Sequence, residues 1–133
     1  MLEGGCLCGA VRYRVGGKTR VTHCHCLHCR KLGGAPYVTW VEAELTAFDW
    51  TDGTPAETSP RPGVTRTFCS ACGSPLTYAH ADRPGEIDVT AGTLDDPTGL
   101  TPDDHVWFDR RLPWVPADDG LPRFARSRRD AQG

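Results

Sequence analysis

Seven cysteines stand in three short clusters, and their spacing is the strongest chemical signal in this sequence. The clusters are Cys6-Leu-Cys8, Cys24-His-Cys26-Leu-His-Cys29 and Cys69-Ser-Ala-Cys72. Thiols one or two residues apart can bind a single soft metal ion from a short piece of backbone. Two pairs and one triplet divide most simply into a closed four-thiolate site and an open three-thiolate site.

Disulfide bonds are the other common use of so many cysteines. The cysteine count is odd, which would leave one thiol unpaired. The N-terminus, Met1-Leu-Glu-Gly-Gly-Cys6, lacks the apolar run of a signal peptide. No stretch approaches the roughly 20 apolar residues of a membrane span. We therefore expect a cytoplasmic protein whose reduced thiols serve metal or redox chemistry.

Length and charge limit the remaining classes of protein. A chain of 133 residues is long enough for one domain with a modest core. Its formal net charge is -2, whereas nucleic-acid-binding proteins normally carry a surplus of basic residues. We predict a single zinc-binding β domain over residues 1–125 and a short, basic, flexible tail over residues 126–133. We expect neither a nucleic acid nor a membrane as partner, and the sequence leaves the oligomeric state open.

The hydrophobic periodicity of the sequence is that of β-strands. In residues 10–15, Ala-Val-Arg-Tyr-Arg-Val, the valines and the tyrosine lie on one face and the arginines on the other. Gly16-Gly17 then predicts a hairpin into a strand over residues 19–23. Further strands are predicted at residues 36–41, 64–68, 76–78, 87–91 and 106–108, and a short helix around residues 27–32.

The two cysteine pairs lie at the ends of predicted strands. Cys6 and Cys8 precede the first strand, and residues i and i+2 of an extended segment point to the same side. Cys69 and Cys72 stand at a turn between two strands. A glycine follows each pair, where a positive φ lets the backbone fold round a metal. We expect these four thiols to form a structural metal site that stabilises a small β domain.

The triplet Cys24, Cys26 and Cys29 supplies three ligands within six residues, and no fourth cysteine remains for it. A tetrahedral zinc with three protein ligands keeps one position for water or substrate, as in catalytic sites. The alternative is that a histidine completes the coordination. His23 is better placed for this role than His25 and His28, which adjoin the cysteines too closely. The distant His80 and His105 are the other candidates for the fourth ligand.

Three thiolates on zinc leave one net negative charge, which makes the metal a weak Lewis acid. Such a centre is poor at activating water, and it suits a soft, exchangeable ligand such as another thiolate. Arg30 and Lys31 follow Cys29 directly. We hypothesise that one of them offsets this charge or binds a carboxylate of the incoming thiol. Solvated surface charges are the alternative role for both.

Six segments of the sequence form a recognisable set. They are Gly4-Gly-Cys-Leu-Cys-Gly-Ala-Val-Arg-Tyr13, His23-Cys-His-Cys-Leu-His-Cys-Arg-Lys-Leu-Gly33, Thr67-Phe-Cys-Ser-Ala-Cys-Gly-Ser-Pro-Leu76, Val89-Thr-Ala-Gly-Thr-Leu-Asp95, His105-Val-Trp107 and Arg111-Leu-Pro-Trp114. Taken together, these segments resemble the glutathione-dependent formaldehyde-activating enzyme family, which shares its domain with centromere protein V.

The resemblance implies a fold, two zinc ions per chain and an activity. The implied fold is mainly β and Mss4-like, with small antiparallel β-sheets held together by zinc. The family's structural zinc ligands match Cys6, Cys8, Cys69 and Cys72, and its catalytic zinc ligands match Cys24, Cys26 and Cys29. The implied activity joins glutathione and formaldehyde to form S-hydroxymethylglutathione, and the enzyme is classed as a carbon–sulfur lyase for the reverse direction.

The sequence identifies no evident general base, and it leaves three function classes open. His25, His28 and Asp88 are candidates for acid–base chemistry, although a structural role is the safer expectation for each. The favoured class is a zinc-dependent lyase whose partner is a small thiol or a thiol–aldehyde adduct. The alternatives are a non-catalytic zinc-binding domain that binds a small ligand or a protein partner, and a redox or metal sensor.

Overall fold

The structure is a computed structural model that describes residues 1–128. The protein is mainly β, as the sequence predicts. The strands are β1 Leu2–Gly5, β2 Arg12–Val15, β3 Lys18–Cys24, β4 Val38–Glu44, β5 Phe48–Asp52, β6 Ala56–Thr58, β7 Val64–Phe68, β8 Pro75–His80, β9 Glu86–Thr90 and β10 Asp104–Val106. The helix α1 spans Leu27–Gly33, and short 3-10 turns span Leu45–Ala47, Ala91–Thr93 and Phe108–Arg110.

The chain divides into two compact units. The first unit comprises Met1–Thr19 and Val41–Gly99, and the second comprises Arg20–Trp40 and the described residues from Leu100 onward. The chain passes from one unit to the other within β3 and again within β4. Each unit carries one of the two cysteine groups.

A three-stranded sheet in the first unit has the order β1-β2-β5, with antiparallel pairing on both sides of β2. The inward face of β2 is the one that the alternation predicts: Val11, Tyr13 and Val15 are buried. The hydroxyl of Tyr13 lies 2.8 Å from Oγ1 of Thr93, so this buried polar atom has a partner. Arg12, which precedes Tyr13, is half-buried on the opposite face of β2.

The predicted hairpin at Gly16-Gly17 is wrong. Both edges of β2 are paired, with β1 and β5, and β3 belongs to another sheet. Gly16 donates its N–H to the Ala47 carbonyl at 2.9 Å, and the Gly17 carbonyl accepts from Glu44 N–H at 3.3 Å. Gly17 has a φ of 58°, a conformation that glycine adopts readily. The two glycines therefore direct the chain away from β2 instead of returning it alongside.

The first unit also contains the strand order β4-β9-β8-β7-β6, with antiparallel pairing between β6 and β7, β7 and β8, and β8 and β9. The strands predicted at residues 64–68, 76–78 and 87–91 are present here as β7, β8 and β9. Val64, Leu76 and Val89, one from each of these strands, are almost completely buried. The connection between β7 and β8 carries the Cys69–Cys72 turn.

The second unit contains the strand order β10-β3-β4 and the helix α1. β10 pairs with β3 in parallel, so this pair departs from the antiparallel sheets that were expected; Val106 lies opposite Cys24. β10 ends at Val106 because Trp107 takes a left-handed φ of 54° and a 3-10 turn follows. The strand predicted at residues 106–108 is thus shifted towards the N-terminus.

The described part of the predicted tail makes contacts with β10 and with the turn after it. The Arg126 carbonyl accepts from Trp107 N–H at 3.0 Å, and Arg128 Nε donates to Asp104 Oδ2 at 2.6 Å. Positions 129–133 lie outside the described residues, so the flexible tail predicted there stays a prediction. Across residues 1–128, no helix has the length and apolar character needed to span a membrane.

Candidate metal centres

Four thiols meet in the first unit. Cys6 and Cys8 lie in the turn between β1 and β2, and Cys69 and Cys72 lie in the turn between β7 and β8. Their Sγ atoms are all within 4.8 Å of one another. The Cys6–Cys8 sulfur distance is 3.6 Å and the Cys8–Cys69 distance is 3.8 Å. All four cysteines are free thiols.

These distances fit a tetrahedral zinc. Zn–S bonds of about 2.3 Å place two sulfur ligands about 3.8 Å apart along the edge of a tetrahedron. A disulfide would instead bring two sulfurs to about 2.05 Å. Val11 donates its N–H to Cys6 Sγ at 3.3 Å, which gives that sulfur a fixed positive dipole as well. The donor set and its spacing therefore suit a soft divalent cation.

The glycine after each cysteine pair has the positive φ that the sequence predicts. Gly9 and Gly73 both have a φ of 82°. Gly9 N–H bonds to the Cys6 carbonyl at 3.2 Å, and Gly73 N–H bonds to the Cys69 carbonyl at 2.8 Å. In both turns, therefore, a backbone bond from the glycine to the first cysteine closes the backbone around the pair of thiols.

The crowding of four thiols affects their ionisation. A backbone N–H bond from Ala10 lowers the pKa of Cys8, but contact with the Cys6 thiol and burial outweigh it and raise the pKa to about 11. Hydrogen bonds from the side chain and the backbone of Ser74 lower the pKa of Cys72 to about 5. One thiolate therefore forms easily and its neighbour resists ionisation. All four can be thiolates together only with a cation among them.

Three further thiols lie close together in the second unit, at the connection between β3 and α1. Cys24 is the last residue of β3, Cys26 is the N-cap of α1, and Cys29 lies in the first turn of that helix. Cys26 has an extended backbone, φ -64° and ψ 160°, and its sulfur accepts the Cys29 N–H at 3.3 Å. This cap turns the chain so that the three Sγ atoms lie within 4.8 Å of one another.

Burial and mutual contact also resist ionisation in this three-thiol group. Contacts with the Cys26 and Cys29 thiols, together with burial, raise the pKa of Cys24 far above its ordinary value. Contact with Cys24 lowers the pKa of Cys29, but contact with Cys26 and burial outweigh it and leave that pKa raised. Three thiolates are stable here only beside a cation, so the donor chemistry again suits a soft divalent metal.

No histidine joins the three thiols within the part of the chain that the structure describes. The group whose ligand atoms all lie within 4.8 Å contains three sulfurs and no nitrogen or carboxylate oxygen from residues 1–128. His23, the histidine that spacing favours as a fourth ligand, has its Nδ1 2.8 Å from Thr39 Oγ1. His28 is half-buried on α1, and Nδ1 of His80, in the first unit, accepts the Asp82 N–H.

His25 belongs to a series of hydrogen-bonded side chains that the sequence did not reveal. Its Nε2 lies 2.9 Å from Nδ1 of His105, and Nε2 of His105 lies 2.7 Å from Oδ2 of Asp119. The His25 ring is completely buried, and this burial lowers its pKa to about 4. The ring is therefore neutral at neutral pH. The presence of His105 in a family motif was the only signal, and nothing in the spacing pairs it with His25.

The sequence also indicated Asp88, Arg30 and Lys31 as candidate functional residues, and they lie in different parts of the structure. Asp88, on β9 of the first unit, is buried, and its Oδ2 is 3.7 Å from Nη2 of Arg83, so it forms part of an ion pair. Arg30 and Lys31 lie in the last turn of α1, where Arg30 is half-buried and Lys31 is exposed. Cations suit this end of a helix.

Two comparisons with known proteins indicate the same family, and a third finds a similar solved structure. A Halomonas elongata protein named "Putative glutathione-dependent formaldehyde-activating enzyme" is 30% identical over 125 residues, covering 86% of this chain and 80% of that protein. The crystal structure of a Rhodobacter sphaeroides protein matches with a TM-score of 0.57 and 26% identity, covering 76% of this chain and 92% of that chain. Residues 1–110, which include all seven cysteines, match the sequence profile described as "Glutathione-dependent formaldehyde-activating enzyme". The chain therefore belongs to the glutathione-dependent formaldehyde-activating enzyme family.

Proposed function

We propose that the protein is a zinc-dependent carbon–sulfur lyase that acts on a thiol–aldehyde adduct such as S-hydroxymethylglutathione. The observation that carries this proposal is the difference between the two thiol groups. One group offers four sulfurs and the other offers three, with no further ligand atom from residues 1–128 in the same range. Structural zinc sites use four protein ligands, whereas catalytic sites use three.

The two groups have separate roles in this proposal. Cys6, Cys8, Cys69 and Cys72 hold a structural zinc, and Cys24, Cys26 and Cys29 hold a catalytic zinc. A zinc ion bound by three thiolates supplies an exchangeable coordination position that favours a soft ligand such as the substrate sulfur. The zinc-binding domain in this proposal spans residues 1–125. The cytoplasm, where thiols stay reduced, is the compartment that suits it.

The proposed reaction rearranges one bond to sulfur and one proton. In adduct formation, the glutathione sulfur bonds to the carbonyl carbon of formaldehyde, and the thiol proton ends on the former carbonyl oxygen. In the lyase direction, the carbon–sulfur bond breaks and the hydroxyl proton returns to sulfur. Holding the two reactants together supplies most of the increase in rate, because a bimolecular step becomes effectively unimolecular.

The protein contributes a buried and fixed set of donors. Cys24 and Cys29 are almost completely buried, and Cys26 is half-buried. The Cys26 sulfur is fixed by the Cys29 N–H, and the Cys29 sulfur by the Trp40 indole N–H. These N–H groups place partial positive charge against the thiolates and limit their basicity. Arg30 and Lys31 lie in the last turn of α1. In this proposal, one of them offsets the negative charge of the incoming thiolate or binds a carboxylate of that thiol.

The test combines zinc stoichiometry with exchange kinetics. Native mass spectrometry of anaerobically purified protein should show two zinc ions per chain. Magnetisation exchange between ¹³C-formaldehyde and S-hydroxymethylglutathione then measures adduct turnover against the uncatalysed rate. We expect wild-type protein to accelerate the exchange. We expect Cys29→Ser to keep its fold and one zinc but to exchange at the uncatalysed rate.

Ser70→Ala is the matched control, because Ser70 is exposed and lies between the cysteines of the other group. This variant should keep both zinc ions and the wild-type rate. Cys29→Ser protein that retains two zinc ions and full exchange would refute the catalytic role of the triplet. Two zinc ions without any acceleration in wild-type protein would favour the alternative, a non-catalytic zinc-binding domain that binds a small ligand or protein partner.

A further inference from the structure

The histidine between two of the candidate zinc ligands is anchored from outside the cysteine cluster. His25 separates Cys24 from Cys26 in the sequence, and its Nε2 lies 2.9 Å from Nδ1 of His105. Nε2 of His105 lies in turn 2.7 Å from Oδ2 of Asp119. The chain of contacts therefore runs from an exposed carboxylate to a fully buried ring, in the segment that carries two of the thiols.

The Asp119 carboxylate determines which ring nitrogens of His105 and His25 carry a hydrogen. An ionised carboxylate only accepts hydrogen bonds, so His105 must donate from Nε2. In a neutral His105 ring the other nitrogen, Nδ1, then accepts, and His25 must donate to it from Nε2. This assigns the Nε2–H tautomer to His25 and leaves its Nδ1 as a buried acceptor. Among the described residues, that nitrogen has no hydrogen-bond partner.

The backbone around His105 and Asp119 makes the anchor rigid. Leu121 N–H bonds to Oδ1 of Asp119 at 3.1 Å, which leaves the other carboxylate oxygen for His105. The N–H of His105 donates to the Pro122 carbonyl at 2.9 Å, and its carbonyl accepts from Phe124 N–H at 2.9 Å. His105 is therefore held at its backbone and at both ring nitrogens.

The same strand also holds the backbone of His25. His25 N–H donates to the Val106 carbonyl at 3.1 Å, and Val106 lies opposite Cys24 in the parallel pairing of β10 with β3. The ring centroids of Tyr37 and Phe108 lie 5.0 and 5.4 Å from that of His25, so two aromatic rings pack against the imidazole. Hydrogen bonds in such dry surroundings are stronger than in water.

We propose that Asp119 and His105 are positioning residues for the three-thiol metal site. They fix the ring of His25, and through that ring they hold the peptide that carries the neighbouring Cys24 and Cys26, so that both sulfurs stay in place for the metal. Groups one step outside a metal's ligands orient them and slow the release of the ion. The inference rests on metal binding in the proposed function and is independent of the lyase reaction.

The test uses zinc-loaded and cobalt-loaded full-length protein and four variants. Asp119→Ala removes the carboxylate, and His105→Leu removes both ring nitrogens. His105→Asn is the conservative variant, because its amide oxygen can accept from His25 Nε2 as Nδ1 of His105 does. Asp118→Ala is the matched control, since Asp118 is the exposed neighbour of Asp119. The readouts are metal release to a chelator, the thiolate-to-cobalt absorption bands and the ¹⁵N shifts of His25.

We expect Asp119→Ala and His105→Leu to release one of two metal ions about 10-fold faster than wild type. Their cobalt absorption should change for that one ion, while the other ion stays as in wild type. His105→Asn should restore part of the slow release, and Asp118→Ala should match wild type. In wild-type protein the ¹⁵N shifts should report His25 protonated at Nε2 and not at Nδ1, a reading that requires no variant to fold.

Other outcomes separate this inference from the proposed function. Folded Asp119→Ala and His105→Leu with wild-type metal release and cobalt spectra overturn the positioning role, whatever the exchange activity. The opposite tautomer of His25 overturns the assigned proton order and with it the inference. Altered metal release in the variants, with no adduct exchange by wild type, upholds the inference and overturns the lyase reaction. Wild-type protein that binds only one metal overturns both.

Discussion

Trp40 donates its indole N–H to the Cys29 sulfur at 3.4 Å, and both side chains are almost completely buried. The donor lies on β4 and the acceptor in the first turn of α1, so the bond joins a strand to the helix whose N-cap and first turn supply two of the three thiols. A fixed N–H against a thiolate stabilises its charge without adding a cation. Trp40 is thus in contact with the three-thiol group as well as being part of the core.

Trp40→Phe tests the energetic value of this bond. Phenylalanine keeps an aromatic ring in the core but cannot donate, so the Cys29 thiolate loses a partner. We expect zinc affinity at the three-thiol site to fall about fivefold, which corresponds to about 1 kcal/mol for one hydrogen bond. Competition with a zinc chelator measures the affinity, and the cobalt charge-transfer band should shift with it.

Trp114→Phe is the control for Trp40→Phe, because Trp114 is 69% exposed. It should leave zinc affinity and the cobalt band unchanged. An unaltered affinity and band in Trp40→Phe would show that the N–H contributes nothing to the bound thiolate.

Gly73→Ala tests the turn that closes one side of the four-thiol group. Gly73 has a φ of 82°, and a Cβ at this position would meet no other atom within 4 Å. The cost of the substitution is therefore backbone strain alone, about 1 to 2 kcal/mol for an L-residue in the left-handed region. Urea unfolding of the zinc-loaded protein should show this loss of stability.

Gly85→Ala is the control for Gly73→Ala, since Gly85 also has open space around it but no φ in the left-handed region. It should change the free energy of unfolding by less than about 0.5 kcal/mol, as ordinary surface substitutions do. Equal stabilities for the two variants would contradict the role assigned to the turn.

Local patterns in the sequence predicted much of the fold. The alternation over residues 10–15 identified the buried face of β2, and the run at residues 64–68 matches β7. The glycines at positions 9 and 73 have the positive φ expected from their place after the cysteine pairs. Each of these features depends on a few adjacent residues, so their types and spacing suffice to predict it.

Features that depend on distant partners were not predictable in this way. β1 contains two glycines and β6 only three residues, and they are strands because β2 and β7 lie beside them. The hairpin at Gly16-Gly17 was wrong because β2 finds its partners at residues 2–5 and 48–52. The hydrogen bond between His25 and His105 spans 80 residues of sequence, and no local pattern specifies it.

Asp104→Asn tests a buried carboxylate that the second unit neutralises with two arginines. Arg20 and Arg128 contact Oδ2 of Asp104 at 3.1 and 2.6 Å, and Thr22 donates to Oδ1 at 2.5 Å. Burial alone would raise the pKa of Asp104, but the bonds from Arg128, Thr22 and Arg20 outweigh it and hold that pKa below its usual value. Removing the charge should cost about 3 kcal/mol at pH 7.

The pH dependence of this loss has a definite sign. A carboxylate with a lowered pKa in the folded state stabilises the fold above its unfolded pKa, about 3.9, and this contribution is lost as pH falls through the folded pKa. The difference in unfolding free energy between wild type and Asp104→Asn should therefore shrink from about pH 5 downward. Asp109→Asn, at an exposed site, should show no such difference, and a constant gap for Asp104→Asn at every pH would contradict the argument.

Arg30 and Lys31 provide the test of how the three-thiol site recognises an incoming thiol. The double variant Arg30→Gln with Lys31→Gln removes both cations from the last turn of α1. We expect glutathione to bind the zinc-loaded protein about 10-fold more weakly, as the loss of one charge-assisted hydrogen bond predicts. Isothermal titration calorimetry measures the affinity, and Lys18→Gln, at an exposed position on β3, is the matched control.

Cysteamine, a thiol without carboxylates, separates the two ways in which these cations can act. If they bind a carboxylate of glutathione, the double variant should lose affinity for glutathione and keep its affinity for cysteamine. If they offset the negative charge that a fourth thiolate brings to the zinc site, both ligands should weaken by a similar factor, and added salt should reduce the difference. Unchanged affinity for both thiols would assign Arg30 and Lys31 to the solvated surface and leave the thiol charge to the N–H donors around the site.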